Sequence, residues 1–215
     1  MSIVKISLIL GAMLFSFSAN ASIINPSFED GLTGWSATKV GTSWGYGSSS
    51  WPVPVTDGSQ SVRMYSTTTC LNKGCGGSSF SSGDYIGLSQ SLDFTNITEI
   101  QFDSTLLSSG QSSPTFQSFT RAAAYIGSTL VWSEVTLDEY LNIAINTTLF
   151  SGIQSLEFRI EATGDGVDSK SDQIYLDNIR TNEINAVPIP AAAFMFAPAL
   201  LGFLGLRRRA KNTVA

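Results

Sequence analysis

Leu156-Glu157-Phe158-Arg159-Ile160-Glu161-Ala162 is the stretch that decides the fold. Apolar and charged residues alternate strictly, so in an extended strand one face meets a core and the other meets solvent. A helix would scatter the same residues around its axis. The period recurs at Ile100, Phe102 and Leu106, which share one face while Gln101, Asp103 and Thr105 share the other. Further strands are expected at 61–66, 85–91, 120–126, 129–135, 140–147 and 173–181. Gly, Ser, Asn and Asp part these runs, and helical periodicity is nearly absent. About nine short strands predict an all-β fold, a single two-sheet sandwich or jelly roll. Residues 41–60 and 66–83, rich in Gly and Ser, read as loops.

Composition narrows the chemistry. The chain of 215 residues carries a formal charge of -5 and has no histidine. A Ser-His-Asp triad, a His-ligated zinc and an imidazole base are therefore excluded. The acidic balance speaks against nucleic acid as a partner.

The two ends read as addresses. Residues 1–21 have one basic residue, Lys5, then an apolar run closing on Ala19-Asn20-Ala21. That is the pattern of a cleaved signal peptide, with export through the Sec machinery and a mature chain beginning at Ser22. From Val187 to Leu206 no charge occurs over 20 positions, the length of a transmembrane helix. Arg207, Arg208, Arg209 and Lys211 follow, so the preceding domain lies outside the inner membrane. The expected organisation is signal peptide 1–21, sandwich 22–186 and tail 187–215. All seventeen acids and seven of the twelve basic residues lie in 22–186, so the exported domain carries -10.

The order Val187-Pro188-Ile189-Pro190, apolar helix, Arg207-Arg208-Arg209 resembles the PEP-CTERM sorting signal. The resemblance implies a Gram-negative source, an inner-membrane intermediate and delivery to the cell surface or extracellular matrix. It also implies an exosortase, a cysteine-dependent membrane transpeptidase, as processing partner. Ile189 departs from the usual pattern, which has Glu between the two prolines.

A second resemblance opens the mature chain. Asn25-Pro26-Ser27-Phe28-Glu29-Asp30-Gly31-Leu32-Thr33-Gly34-Trp35 is similar to the start of galactose-binding-like jelly rolls, which include many carbohydrate-binding modules. Asp57-Gly58-Ser59-Gln60-Ser61-Val62-Arg63-Met64, Leu156–Ile160 and Ile174-Tyr175-Leu176-Asp177-Asn178-Ile179 follow in the order of that family's strands. The resemblance implies a jelly roll over most of 22–182. It also implies one structural calcium held by Glu29 and Asp177, with carbonyls near Asp57 completing an oxygen shell. The acidic stretch Asp165–Asp172 lacks calcium-loop spacing and reads as a solvated turn.

Cys70 and Cys75 are expected to form a local disulfide pinning the second loop of an exported chain. Trp44, Tyr46 and Trp51 fall within eight positions among Gly and Ser. Exposed on a loop, such rings stack on sugar faces, which makes them the candidate ligand-binding residues. The competing reading has them capping an open end of the core, the role expected of Trp35. Tyr125 and Trp132 are strand residues that could line a sandwich face. Paired carboxylates are the one catalytic option left, but no pair stands in a recognisable glycosidase motif. The chain therefore reads as a non-enzymatic surface protein binding extracellular polysaccharide. A structural or adhesive biofilm protein without a specific ligand is the alternative, and a carboxylate-dependent glycosidase the third reading.

Overall fold

The computed structural model describes residues 22–41, 44–49, 55–66, 78–108, 116, 119–168 and 171–184. The deciding stretch lies in the middle of a five-stranded sheet. Its strands are β1 (Ser36–Val40), β5 (Tyr85–Asp93), β7 (Thr120–Ile126), β8 (Thr129–Glu134) and β10 (Ile153–Ala162), in the order β1-β5-β10-β7-β8. The second sheet contains β2 (Trp44–Ser49), β3 (Ser61–Ser66), β6 (Ile97–Ser108), β9 (Glu139–Asn146) and β12 (Asp172–Glu183), in the order β2-β3-β12-β6-β9. A short ribbon of β4 (Ser78–Phe80) and β11 (Gly166–Asp168) completes the described strands. The chain passes from one sheet to the other between β1 and β2, β5 and β6, β6 and β7, β8 and β9, and β9 and β10. These repeated crossings are those of a sandwich with jelly-roll character.

Alternation sets the core. In register across the first sheet, Phe158 faces Leu88 and Ala124, and Ile160 faces Ile86 and Ala122. All six are fully buried. The alanines leave room for the Phe158 ring, which meets Phe102 of the second sheet edge-on at 4.9 Å between centroids. Trp132 packs on the same Phe102 at 5.3 Å, so it points into the core and not onto an outer face. Truncating a ring buried like Phe158 costs about 3–5 kcal/mol.

Residues 22–35 pack on the core without regular structure. Phe28 and Trp35 are buried there, their rings 5.3 Å apart. Asn25 (φ 51°) and Phe28 (φ 55°) are left-handed, and the Asn25 side chain bonds Gly31 O and Asp30 N. Gln90, reaching out from β5, bonds both backbone groups of Ile24 and the carbonyl of Gly34.

Three sequence expectations change. The 41–60 region contains β2, whose Trp44 and Tyr46 sit opposite Ser66 and Met64. Its Gly45 lies beneath Tyr65, whose Cζ is 2.6 Å from where a Cβ would stand. The glycines that suggested a loop are thus the outward half of a period-2 strand. Second, β1 has no buried side chain to betray it, since all five of its residues are exposed on a sheet edge. Third, the 165–172 stretch is not a solvated turn. Gly166–Asp168 pairs with β4, and Asp172 is fully buried, accepting hydrogen bonds from Ser108 Oγ at 2.6 Å and from Thr120 Oγ1.

Candidate functional site

The outward half of the deciding stretch builds the most organised polar surface among the described residues. Glu157, Arg159 and Glu161 leave β10 on the face away from the core. Arg159 stands opposite Gly87 on β5 and Ala123 on β7, two small residues that let its side chain lie down on the sheet. Tyr85 and Tyr125 stand diagonally, one on each neighbouring strand, opposite Glu161 and Glu157. The guanidinium carbon sits 4.0 Å from the Tyr85 ring centroid and 4.5 Å from that of Tyr125. Such contacts contribute about 0.5–1 kcal/mol each at partly exposed sites.

The charges around this stack are matched. Arg159 Nη2 donates to Glu157 Oε2 at 2.7 Å, and its Nη1 lies 3.9 Å from Glu161 Oε2. Arg121 Nε donates to Glu161 Oε1 at 2.6 Å. The Tyr125 hydroxyl donates to both Glu161 oxygens, at 2.8 and 2.9 Å. Burial, then the bond to Glu161, raises the Tyr125 phenol above its ordinary pKa and keeps it a donor. For Arg159, burial works against the charge, but the hydrogen bond and charge of Glu157 prevail and raise its pKa. Glu157 also lies over Gly87, where a Cβ would collide with its Oε1. Arg159 Nε has no hydrogen-bond partner and is shielded from solvent.

This surface brings phenol, guanidinium and carboxylate groups together, with Ser89 and Ser155 beside it on β5 and β10. Both carboxylates are already engaged by Arg159, Arg121 or Tyr125.

The residues expected at a ligand site fare differently. Trp44 is not on an exposed loop. It is 2% exposed, packed 4.9 Å from the Phe80 ring, with its Nε1 unpartnered. The reason is the β2 period, which turns Trp44 inward. Tyr46, 47% exposed, follows it on the same face of that edge strand. Trp51 lies outside the described residues, as do Cys70, Cys75, the signal peptide and the tail with Val187, Pro188, Ile189, Pro190, Arg207, Arg208 and Arg209. Tyr85, Arg159 and Arg121 were not singled out from the sequence. Their signal was present in the charged half of the alternation, but the pairing of strands brings them together.

Glu29, Asp57 and Asp177 come together around the 55–60 loop. Glu29 Oε1 accepts from the amides of Ser59 (2.7 Å) and Gln60 (2.8 Å), and Oε2 from Ser59 Oγ (2.7 Å). Asp177 Oδ2 accepts from the amides of Thr56 (2.7 Å) and Asp57 (2.9 Å), and Oδ1 from its neighbour Asn178 (2.8 Å). Asp57 Oδ2 accepts from Ser27 Oγ at 2.5 Å. The Ser59 hydroxyl and then the Ser59 and Gln60 amides lower the Glu29 pKa. Burial raises that of Asp177 against the pull of its amide donors. A calcium shell needs oxygens turned toward a shared point. Here the carboxylates turn toward N–H donors instead, and the described residues contain no group of three acids, cysteines or histidines placed to hold a metal ion. As they stand, these carboxylates fasten the loop through its amides.

No family model matches the chain, and no curated protein does. Among solved structures it is similar to TmCBM61 in complex with β-1,4-galactotriose, at 12% identity and a TM-score of 0.45, over 77% of this chain and 100% of that one. It is also similar to the Caldicellulosiruptor saccharolyticus CBM27-1 in complex with mannohexaose, at 16% identity and a TM-score of 0.45, over 75% and 97%. The K2 cleaved adhesin domain of Lys-gingipain matches at 15% identity and a TM-score of 0.49, over 78% and 100%. Among the described residues no helix is long and apolar enough to cross a membrane.

Proposed function

We propose that the sandwich binds carbohydrate on the outer face of its first sheet, without catalysis. The observation that carries this reading is Arg159 held over the rings of Tyr85 and Tyr125, with Glu157 and Glu161 alongside. Sugar rings present apolar C–H patches and pairs of hydroxyls. Aromatic rings suit the first, and rigid guanidinium and carboxylate groups suit the second. Side chains already ordered by one another lose little freedom when a ligand arrives. The sequence ends support the wider setting: Sec export, an inner-membrane intermediate, exosortase processing of the tail, and residence at the cell surface or in an extracellular polysaccharide matrix.

The test is depletion of the full chain, in mild detergent, by a panel of insoluble polysaccharides. Retention on at least one glycan, lost in Tyr85→Ala while the urea midpoint stays close to that of the parent, is the expected result. Retention unaffected by Tyr85→Ala removes this face as the site. No retention on any glycan removes the function.

A further inference from the structure

We infer that the face around Arg159 selects an uncharged polysaccharide strand and excludes uronate- or sulfate-bearing ones. This deepens the glycan reading of the same face and rests on it. An anionic sugar chain is usually held by cations with charge to spare. Among the described residues this face has two cations, Arg121 and Arg159, and neither is spare. Arg121 is committed to Glu161 at 2.6 Å, and Arg159 to Glu157 at 2.7 Å with Glu161 at 3.9 Å. The four charges cancel. The two carboxylates are the less exposed partners, with side-chain exposures of 11% and 10% against 22% and 32% for the arginines, so they are built into the surface rather than swung across it.

The surroundings act in the same direction. Residues 22–186 carry -10, a field that repels a polyanion before any contact is made. A neutral hexose strand meets no such barrier. It finds hydroxyl acceptors in Glu157 and Glu161 and donors in the guanidinium edges. Glu157 and Glu161 thereby become specificity-determining residues: they neutralise the arginines that would otherwise draw a uronate.

Affinity electrophoresis of the full chain in mild detergent tests this. The neutral probes are β-1,4-galactan, β-1,4-mannan and mixed-linked β-glucan; the anionic probes are polygalacturonate and alginate. Salt is varied between about 10 mM and 1 M, over which the Debye length falls from about 30 to about 3 Å. The expected result is retardation by a neutral glycan that changes less than about twofold across this range, and none by either polyuronate. Glu157→Gln keeps the side-chain shape but frees one guanidinium. It should raise polygalacturonate retention about tenfold at low salt, the effect of one charge-assisted contact. Salt-sensitive retardation of the parent chain by a polyuronate overturns the inference while leaving the glycan reading in place. Retardation by no probe overturns both. The parent chain's salt response stands as a test even if the variant fails to fold.

Discussion

Replacing Arg159 by alanine removes the centre of the outer face, and the structure sets the size of the effect. Two ring contacts, at 4.0 and 4.5 Å, disappear, worth about 0.5–1 kcal/mol each. Glu157, with 11% of its side chain exposed, loses the cation it bonds at 2.7 Å. Stranding a largely buried carboxylate costs about 1.5–3 kcal/mol, as expected for hydrogen bonds to charged groups. The guanidinium is itself 22% exposed, and water entering the vacated space returns part of that loss. The net expectation is a destabilisation of about 2–4 kcal/mol. For a domain of this size that lowers Tm by about 5–15 °C. Urea unfolding followed by tryptophan fluorescence measures it directly, because Trp35, Trp44 and Trp132 are packed in the folded state.

Arg159→Lys separates the contributions. An ammonium keeps the charge for Glu157 but cannot lie as a plane between two rings. Its cost should fall near 1–2 kcal/mol, roughly the ring contribution alone. Lys39→Ala, on the fully exposed strand β1, serves as the control and should stay within about 0.5 kcal/mol. If Arg159→Ala also stays within that margin, Tyr85, Tyr125 and Glu157 do not depend on the guanidinium, and the face is not the pre-ordered surface described above.

Other outcomes follow from the same contacts. Trp44→Ala should cost about 3–5 kcal/mol of stability without a specific loss of glycan retention at temperatures where the variant is folded, because the ring is core and not site. Tyr125 has a raised pKa in the fold, so its contribution is complete below the unfolded phenol pKa of about 10 and is lost as pH climbs toward the folded value. Parent and Tyr125→Phe unfolding curves should therefore converge above pH 10, and parallel curves would contradict the Tyr125–Glu161 bond. A chelator should leave Tm unchanged, since Glu29 and Asp177 already hold the 55–60 loop through backbone amides. A fall of several degrees would reveal an ion shell there. Gly58→Ala forces a Cβ toward the Glu29 carboxylate at φ +76°, so a loss of at least about 1 kcal/mol is expected in thermal unfolding.

How much of this was legible from residues alone depends on whether the information was local. The alternation at 156–162 is local, and it placed Phe158 in the core and Arg159 outside it. The partners of Arg159 are not local. Tyr85 lies 74 positions earlier and Tyr125 lies 34 earlier, and only the antiparallel register of β10 with β5 and β7 sets both rings beside the guanidinium. Gly87 and Ala123 look featureless in the sequence, yet they are the small residues that face Arg159 on both neighbouring strands. The β2 misreading has the same origin: Gly45 reads as a loop until Tyr65 is seen to occupy the space a side chain would need. Glu29 and Asp177 show a further limit. Their residue type suits a cation, but a carboxylate's role depends on whether amides or other oxygens face it, and here the 55–60 loop supplies amides. In other sandwiches of this kind, outward charged residues flanked in register by Gly or Ala should likewise mark places where a long side chain has room to be ordered on the sheet.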